Sequence, residues 1–516
     1  MSDYSDTHIE TTLPKPWEEE VTFQDTLYDW MNRAPWLAIS VALHLLAYFV
    51  LAAVPWSDIS GDKDKTFVAE AEAPPEEIIE EPEEEPEEEP IEEPIEEPVL
   101  MDEEVVDIVE DEAAESDSDL LSDANFEADQ FNNIIGIGGG AGGKFGGRGV
   151  GKRNTKARGG AGTQQALTDA LEWLKNHQSP DGSWDCDGFT ENCGKIGTDV
   201  CEDTGNAAHD VGITGLALLA FLGNGDTTTT GKYKDVVAKG VKYLKSEQDY
   251  DSGLIGEDST RDFIYNHAIA TLALCEVYYF SKSPLIKKNA QKAVNYIARA
   301  RNQYGAWRYD VPPSGENDTS VTGWMLFALK SAKDAKLKID EEAITDGLAF
   351  LDDQTTPRSG HVGYDAKGSS SSRTPSNEQF PREKGEAMTA VGLLCRIFLG
   401  QDPDETELEG QKIMQNGADL LLTKLPEWDE KGFGCDMYYW YYGTYAMFQM
   451  GGNHWKRWNA AMKDTLLKNQ IQDGDAKGSW NPVGPWGYSG GRVYSTALMT
   501  LCLEVYFRYG NVLGAR

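Results

Sequence analysis

From residue 163 onward, apolar positions recur with a helical period, and they come in two kinds of segment. In the first kind one face is apolar and the other charged: Ala170, Leu171, Trp173 and Leu174 stand against Glu172 and Lys175. That spacing predicts an amphipathic helix with one side wet. The second kind is apolar on every side, as in "GITGLALLAFLG", which predicts a helix packed all round. The two alternate. Amphipathic segments end in 171–184, 238–256, 290–307, 344–364, 417–434 and 462–480. All-apolar segments occupy 208–223, 263–280, 318–334, 385–400, 437–450 and 492–508. Strand periodicity is nearly absent.

The amphipathic segments share an ending. "LKNHQSPDGSW" passes from helix through a glutamine and a glycine turn to an aromatic residue, and five of the six copies keep the glutamine and the glycine. The copy at 417–434 lacks the glutamine. A glutamine there is expected to bond the loose carbonyls at the end of its own helix, with the glycine turning the chain after it. Self-similarity at a fixed spacing predicts a repeat architecture. Amphipathic helices fit an outer ring and apolar ones an inner ring; six pairs closing on themselves leave no end repeat exposed.

The chain before residue 163 reads differently. Residues 36–54, "WLAISVALHLLAYFVLAAV", carry no formal charge and have Trp36 and Trp56 at their edges. At about 1.5 Å per residue they reach roughly 28 Å, the thickness of a bilayer core. A net-acidic stretch of 35 residues precedes them, unlike the basic start of a signal peptide. The expected organisation is an acidic segment 1–35, a transmembrane helix 36–56 in the lipid bilayer, an acidic Pro/Glu-rich disordered linker 57–134, a Gly-rich basic linker 135–162 and a repeat domain 163–516. Flanking basic residues tie, Lys15 and Arg33 against Lys63 and Lys65, so charge sets no orientation.

Charge follows this division. The formal net charge is −41, and residues 61–130 alone hold 31 acids against two lysines. The repeat domain is only mildly acidic, so nucleic acid is not an expected partner. No cofactor-binding motif is read. Of seven cysteines, Cys275, Cys395 and Cys502 fall in apolar segments as buried thiols. Cys186, Cys193 and Cys201 cluster. They leave three readings open: one disulfide, a Cys3His metal site with His209, or calcium binding by the neighbouring Asp185, Asp187, Asp199, Glu202 and Asp203.

The recurring glutamine, glycine and aromatic ending resembles the repeats of the prenyltransferase/squalene oxidase family, which includes terpenoid cyclases and protein prenyltransferase subunits. The resemblance covers about 163–516 and implies an all-α fold, an (α/α)6 toroid. It does not carry that family's chemistry with it. The Asp-x-Asp-Asp-Thr motif of proton-donating cyclases is matched best by "GENDT", where Asp318 and Thr319 fit but Gly315 and Asn317 replace the first and middle aspartates. An amide is no general acid. Glu316 lies beside it, and Asp318 also reads as a helix N-cap. The zinc ligands of protein prenyltransferases fall on Gly434, Asp436 and Ser495, which make no such site.

A second resemblance lies in the apolar helix, where Ser40 and His44 form an S-x3-H pattern on one face. It is similar to the membrane anchor of TonB-type energy transducers. That implies an inner-membrane, single-pass protein with a periplasmic toroid and a multi-helix membrane partner of the TonB-associated motor type.

The residues expected near the toroid's cavity are therefore Asp210, His267, Asp318, Tyr438 and Trp440 as binding residues, with Asp318, Glu316 and Glu386 as catalytic candidates. The expected function is binding of an apolar or glycan-like ligand, of unknown identity, or of a partner protein, without standard cyclase or prenyltransferase chemistry. The alternative is a terpenoid-cyclase-like or glycan-cleaving enzyme.

Overall fold

The computed structural model describes residues 155–508, apart from 195–198, 303–304, 372–379, 381–384, 430 and 432–433. The expected membrane helix with Ser40 and His44, and both linkers up to residue 154, lie outside the described residues.

Among the described residues twelve helices alternate outward and inward. The outer ones are α1 (Thr163–Asn176), α3 (Lys234–Ser246), α5 (Pro284–Ala300), α7 (Glu341–Gln354), α9 (Ile413–Leu421) and α11 (Gly452–Asn469). The inner ones are α2 (Asp210–Asn224), α4 (Phe263–Ser281), α6 (Thr319–Asp334), α8 (Ala387–Phe398), α10 (Met437–Met450) and α12 (Gly487–Leu503), and a short α13 (Val505–Arg508) follows. Each inner helix packs on the next, and α12 packs back on α2, so the ring closes. The fold is an (α/α)6 toroid. Among the described residues there is no strand, only isolated bridges such as Gln248–Ile255 and Thr355–Val362 in the turns that end outer helices.

The two periodicities explain the two layers. In α1 the buried residues fall on one stripe, Ala166, Leu167, Ala170, Leu171, Trp173 and Leu174. In α2 every residue from Val211 to Gly223 is buried. By length and composition Ala207–Asn224 would also cross a membrane, but here it is the core helix of the first pair. Asp318 caps α6 by accepting the Val321 N–H at 2.8 Å, as an N-cap aspartate does. Cys275, Cys395 and Cys502 are buried thiols of the inner ring.

The shared ending works otherwise than the sequence alone suggests. The glutamine does not bond the carbonyls ending its own helix. Gln178 Nε2 donates to Gly182 O in the turn and to Val236 O of the next outer helix, both at 3.0 Å. Gln248 repeats this with Gly253 O (3.1 Å) and Asn289 O (3.0 Å). Gln470 does so with Gly478 O (2.9 Å) and Ala166 O (2.7 Å), which joins the last outer helix to the first. The helix-end carbonyls are taken by the tryptophan instead: Trp184 Nε1 donates to Leu174 O, Trp307 Nε1 to Ile297 O and Trp480 Nε1 to Leu466 O, at 2.7–2.9 Å. The indole comes back under its own outer helix after the turn, so its N–H is the donor in reach.

The glycine is needed for contact as well as for turning. Gly182 and Gly478 have φ of +104° and +92°, and a Cβ there would lie 2.3 Å from Lys239 O and 2.2 Å from Asp169 O, on the next outer helix. The residue at the aromatic position is then tied inward. The backbone N–H groups of Trp184, Trp307, Val362 and Trp480 meet the hydroxyls of Thr214, Thr322, Thr389 and Thr496 on the inner helices. In the fifth pair, which lacks the glutamine, the Tyr439 hydroxyl of α10 bonds Leu421 O and Lys424 O at the end of α9.

Candidate functional site

The inner-helix N-termini and the turns that end the outer helices share one end of the toroid, and most candidate residues lie there. Two expected cavity residues lie there too but are turned into the packing instead of the cavity. His267 occupies in the second pair the place that threonine holds in four of the other five: its Nδ1 accepts the Ile255 N–H at 3.1 Å. Nε2 must then carry the proton, donated to Ala293 O at 3.1 Å. Burial holds its pKa down at about 3, so it is a neutral layer-to-layer strut. Trp440 likewise faces the outer layer, its ring 6.3 Å from Trp428.

Asp318 and Tyr438 do face inward. Asp318 is fully buried, and its second oxygen accepts the Tyr364 hydroxyl at 3.2 Å. The Tyr364 hydroxyl also bonds that of Tyr309. Desolvation lifts the Asp318 carboxyl from near 3.8 to about 7, against the pull of the Val321 N–H and the Arg308 guanidinium. Tyr438 is half-buried and meets the Ser320 hydroxyl at 2.9 Å. Behind it Trp324 stacks on Tyr441 (5.9 Å) and packs against Tyr442 (5.4 Å), and Phe327 sits against Phe398 and Tyr442. Aromatic rings thus fill the space between α6, α8 and α10.

Open volume lies at two places among the described residues, one of them a cleft of about 1120 Å3 between the connection after α9 and α11. The other, a cleft of about 810 Å3, runs between α7 and the connection into α6. Arg308, Glu316, Asn317, Asp353, Gln354 and Asp365 line it, so its walls are polar and acidic. Asn317, at the position of the cyclase acid, is pinned by Asn302 Nδ2 at 2.8 Å, and Glu316 accepts Arg308 Nη1 at 2.6 Å. Behind the wall Arg308 Nε faces Asp318 Oδ2 at 3.8 Å, and the buried Gln354 Oε1 makes no hydrogen bond among the described residues.

The remaining candidates are held by neighbours. Glu386 accepts the Thr389 hydroxyl at 3.2 Å and pairs with His361 Nδ1 at 3.0 Å, and that carboxylate holds the imidazole pKa above its ordinary value. Asp210 accepts the Cys186 N–H at 2.8 Å, and burial raises it to about 6. Carboxylate oxygens of Asp185, Asp187 and Asp210 lie within 4.8 Å of one another.

The expected Cys3His set does not assemble. Cys186 is turned toward Asp210, and His209 leans on Asn266 and is partly buried, which lowers its pKa. The structure instead brings His177 to Cys193 and Cys201: His177 Nε2 is 3.5 Å from each sulfur. Sequence reasoning missed His177 because it sits at the end of α1, 16 residues before Cys193, where it reads as part of the helix ending. The available signal was that α1 ends where the cysteine-bearing connection begins.

No curated protein matches the chain. Solved structures that resemble it include a cellobiose 2-epimerase from Spirochaeta thermophila (14% identity, 70% of this chain and 98% of that one, TM-score 0.46). An alpha-1,6-mannanase from Salegentibacter sp. HEL1_6 resembles it at 12% identity, with 66% of this chain and 98% of that one covered and a TM-score of 0.45. A type II terpene cyclase from Scytonema does so at 13% identity, over 66% and 96% of the two chains, with a TM-score of 0.43. Residues 162–368, which hold the first three helix pairs, match the family model described as the squalene-hopene cyclase C-terminal domain, whose repeats are of the prenyltransferase/squalene oxidase type.

Proposed function

We propose that the toroid is a binding module for a hydroxylated, glycan-like ligand, held in the cleft between α7 and the connection into α6. The observation that carries this reading is the polar lining of the cleft, where Arg308, Glu316, Asn317, Asp353 and Asp365 converge. A ligand rich in hydroxyls exchanges hydrogen bonds with such walls; a hydrocarbon does not. Carboxylates of Glu316, Asp353 and Asp365 add acceptors, and Phe350 offers an apolar face.

Two features speak against proton-donating cyclase chemistry. The ring interior beside α6, α8 and α10 is filled by Trp324, Tyr441 and Tyr442, which leaves a polyprenyl chain no room there. Asp318 is lifted toward neutrality, but both its oxygens are engaged and none of it is exposed. We further propose that the helix at 36–56 displays this module on the periplasmic side of the inner membrane, with Ser40 and His44 facing a membrane partner.

Calorimetric titration of the purified chain with neutral oligosaccharides and with squalene or a geranylgeranyl lipid tests the reading. Oligosaccharide binding is expected, weakened at least tenfold by Asp353→Ala, about one hydrogen bond to a charged group. Binding of the lipid alone, or its conversion to a cyclised product, overturns it.

A further inference from the structure

We propose that His177, Cys193 and Cys201 bind one soft divalent metal ion, zinc by ligand type, and that the ion staples the connection between the first helix pair's outer and inner members across the seam where the ring closes. The proposal is independent of the ligand cleft.

The ligand atoms are already placed. A metal at about 2.3 Å from each sulfur and 2.0–2.1 Å from an imidazole nitrogen, in tetrahedral array, fixes each N···S edge at about 3.5 Å. The two edges here are 3.5 Å and 3.5 Å. All three ligand atoms lie within 4.8 Å of one another.

The imidazole is oriented for the task. His177 Nδ1 is 2.8 Å from Trp173 O, which only accepts, so the proton is on Nδ1 and the Nε2 lone pair points at the sulfurs. A backbone carbonyl on the remote nitrogen is the usual support for a metal-bound histidine. The ring is clamped between Trp173, stacked at 4.2 Å, and the edge of Phe189, at 5.9 Å. The Cys201 N–H donates to Cys193 Sγ at 3.2 Å, a contact that stabilises a thiolate. Two thiolates and a neutral imidazole leave the bound divalent ion with no net charge, which suits a buried site. Cys193, half-buried, gives the fourth position access to a water.

The place of the cluster gives the ion its role. At its described residues the connection between α1 and α2 is bonded across the seam between the first and last pairs. Asn206 N–H donates to Ser489 O (2.8 Å), Gly194 N–H to Asp475 (2.5 Å), and Arg492 holds Asp203 (2.6 Å). One end of this strap is thus fastened to the last pair; His177 is the only one of the three ligands on α1's end, so the ion fastens the strap to the first pair.

The test uses the full chain, expressed with added zinc and purified in mild detergent. Elemental analysis is expected to find one zinc per chain. After chelation, cobalt(II) titration is expected to give the intense visible bands of a tetrahedral site together with a thiolate-to-metal band. Cys193→Ser and Cys201→Ser should each weaken metal binding by about tenfold or more, and Cys186→Ser should leave it unchanged. If a variant does not fold, the cobalt spectrum of the parent still decides. Sub-stoichiometric zinc with no cobalt thiolate band overturns the proposal. So does a thiol count two short of seven under denaturing, non-reducing conditions, which reports a Cys193–Cys201 disulfide.

Discussion

Replacing Gln470 by leucine tests whether the ring is closed by the same joint that links its interior repeats. Gln470 is 5% exposed, and its amide donates to Gly478 O at 2.9 Å and Ala166 O at 2.7 Å. A buried neutral hydrogen bond contributes about 1 kcal/mol net, so losing both costs about 2 kcal/mol. Ala166 O keeps its bond within α1, so Gly478 O bears most of the desolvation penalty. Leucine has nearly the same volume, so packing contributes little. A cost of about 2 kcal/mol shifts the folded-to-unfolded ratio about thirtyfold. Gln178→Leu removes the same pair of bonds at an interior joint and should cost the same within about 0.5 kcal/mol, whereas Gln248→Leu also removes the bond from Asn289 Nδ2 to its Oε1 (2.6 Å) and should cost no less. Gln470→Glu cannot donate and faces two carbonyl oxygens with a charge, so it should cost more than leucine. Urea unfolding read by tryptophan fluorescence measures all four, since Trp184 and Trp480 are fully buried at these joints. A Gln470→Leu variant within about 0.5 kcal/mol of the parent, beside costly Gln178→Leu and Gln248→Leu, would refute ring closure through this bond.

Three more expectations follow from the same geometry. Asp318 holds a proton in the folded chain up to about pH 7 that the unfolded chain releases near pH 4, so its own contribution to stability should fall across that window, whereas buried neutral His267 contributes a rise over an overlapping one. The Asp318 share amounts to about 4 kcal/mol and is read as the difference between the parent and Asp318→Asn, which keeps the cap, in unfolding curves from pH 4 to pH 8; a difference that does not change with pH refutes it. Arg508 lies buried between Glu276 (3.0 Å) and Glu504 (3.1 Å), so Arg508→Met leaves two buried carboxylates and should cost about 3–5 kcal/mol in urea, unless Glu276→Gln and Glu504→Gln accompany it. In the proposed membrane helix, His44→Leu should keep insertion and lose co-purification with the partner; retention of every partner refutes energy coupling.

What the sequence made legible was whatever repeats. Helix period, the inner and outer layers and the closing of six pairs can all be counted along the chain, because each is imposed locally by a stripe such as Ala166–Leu174 or a run such as Val211–Gly223. What stayed hidden is set between repeats. Gln178 reads as a cap because its own helix end is near in sequence, whereas its real acceptor, Val236 O, is 58 residues away. His267 reads as a site residue because histidine is chemically conspicuous; only alignment of the pairs in space shows it doing the work of Thr214 and Thr322. His177, in turn, was passed over inside the very motif that announced the fold. In each case the residue's role depends on which face of the neighbouring pair it meets, and periodicity fixes the face a residue presents without fixing what is opposite. That is also why the cleft was invisible: Gln354 reads along the chain as another copy of the joint glutamine, and only the folded arrangement sets it on a cleft with Arg308, Glu316 and Asp365.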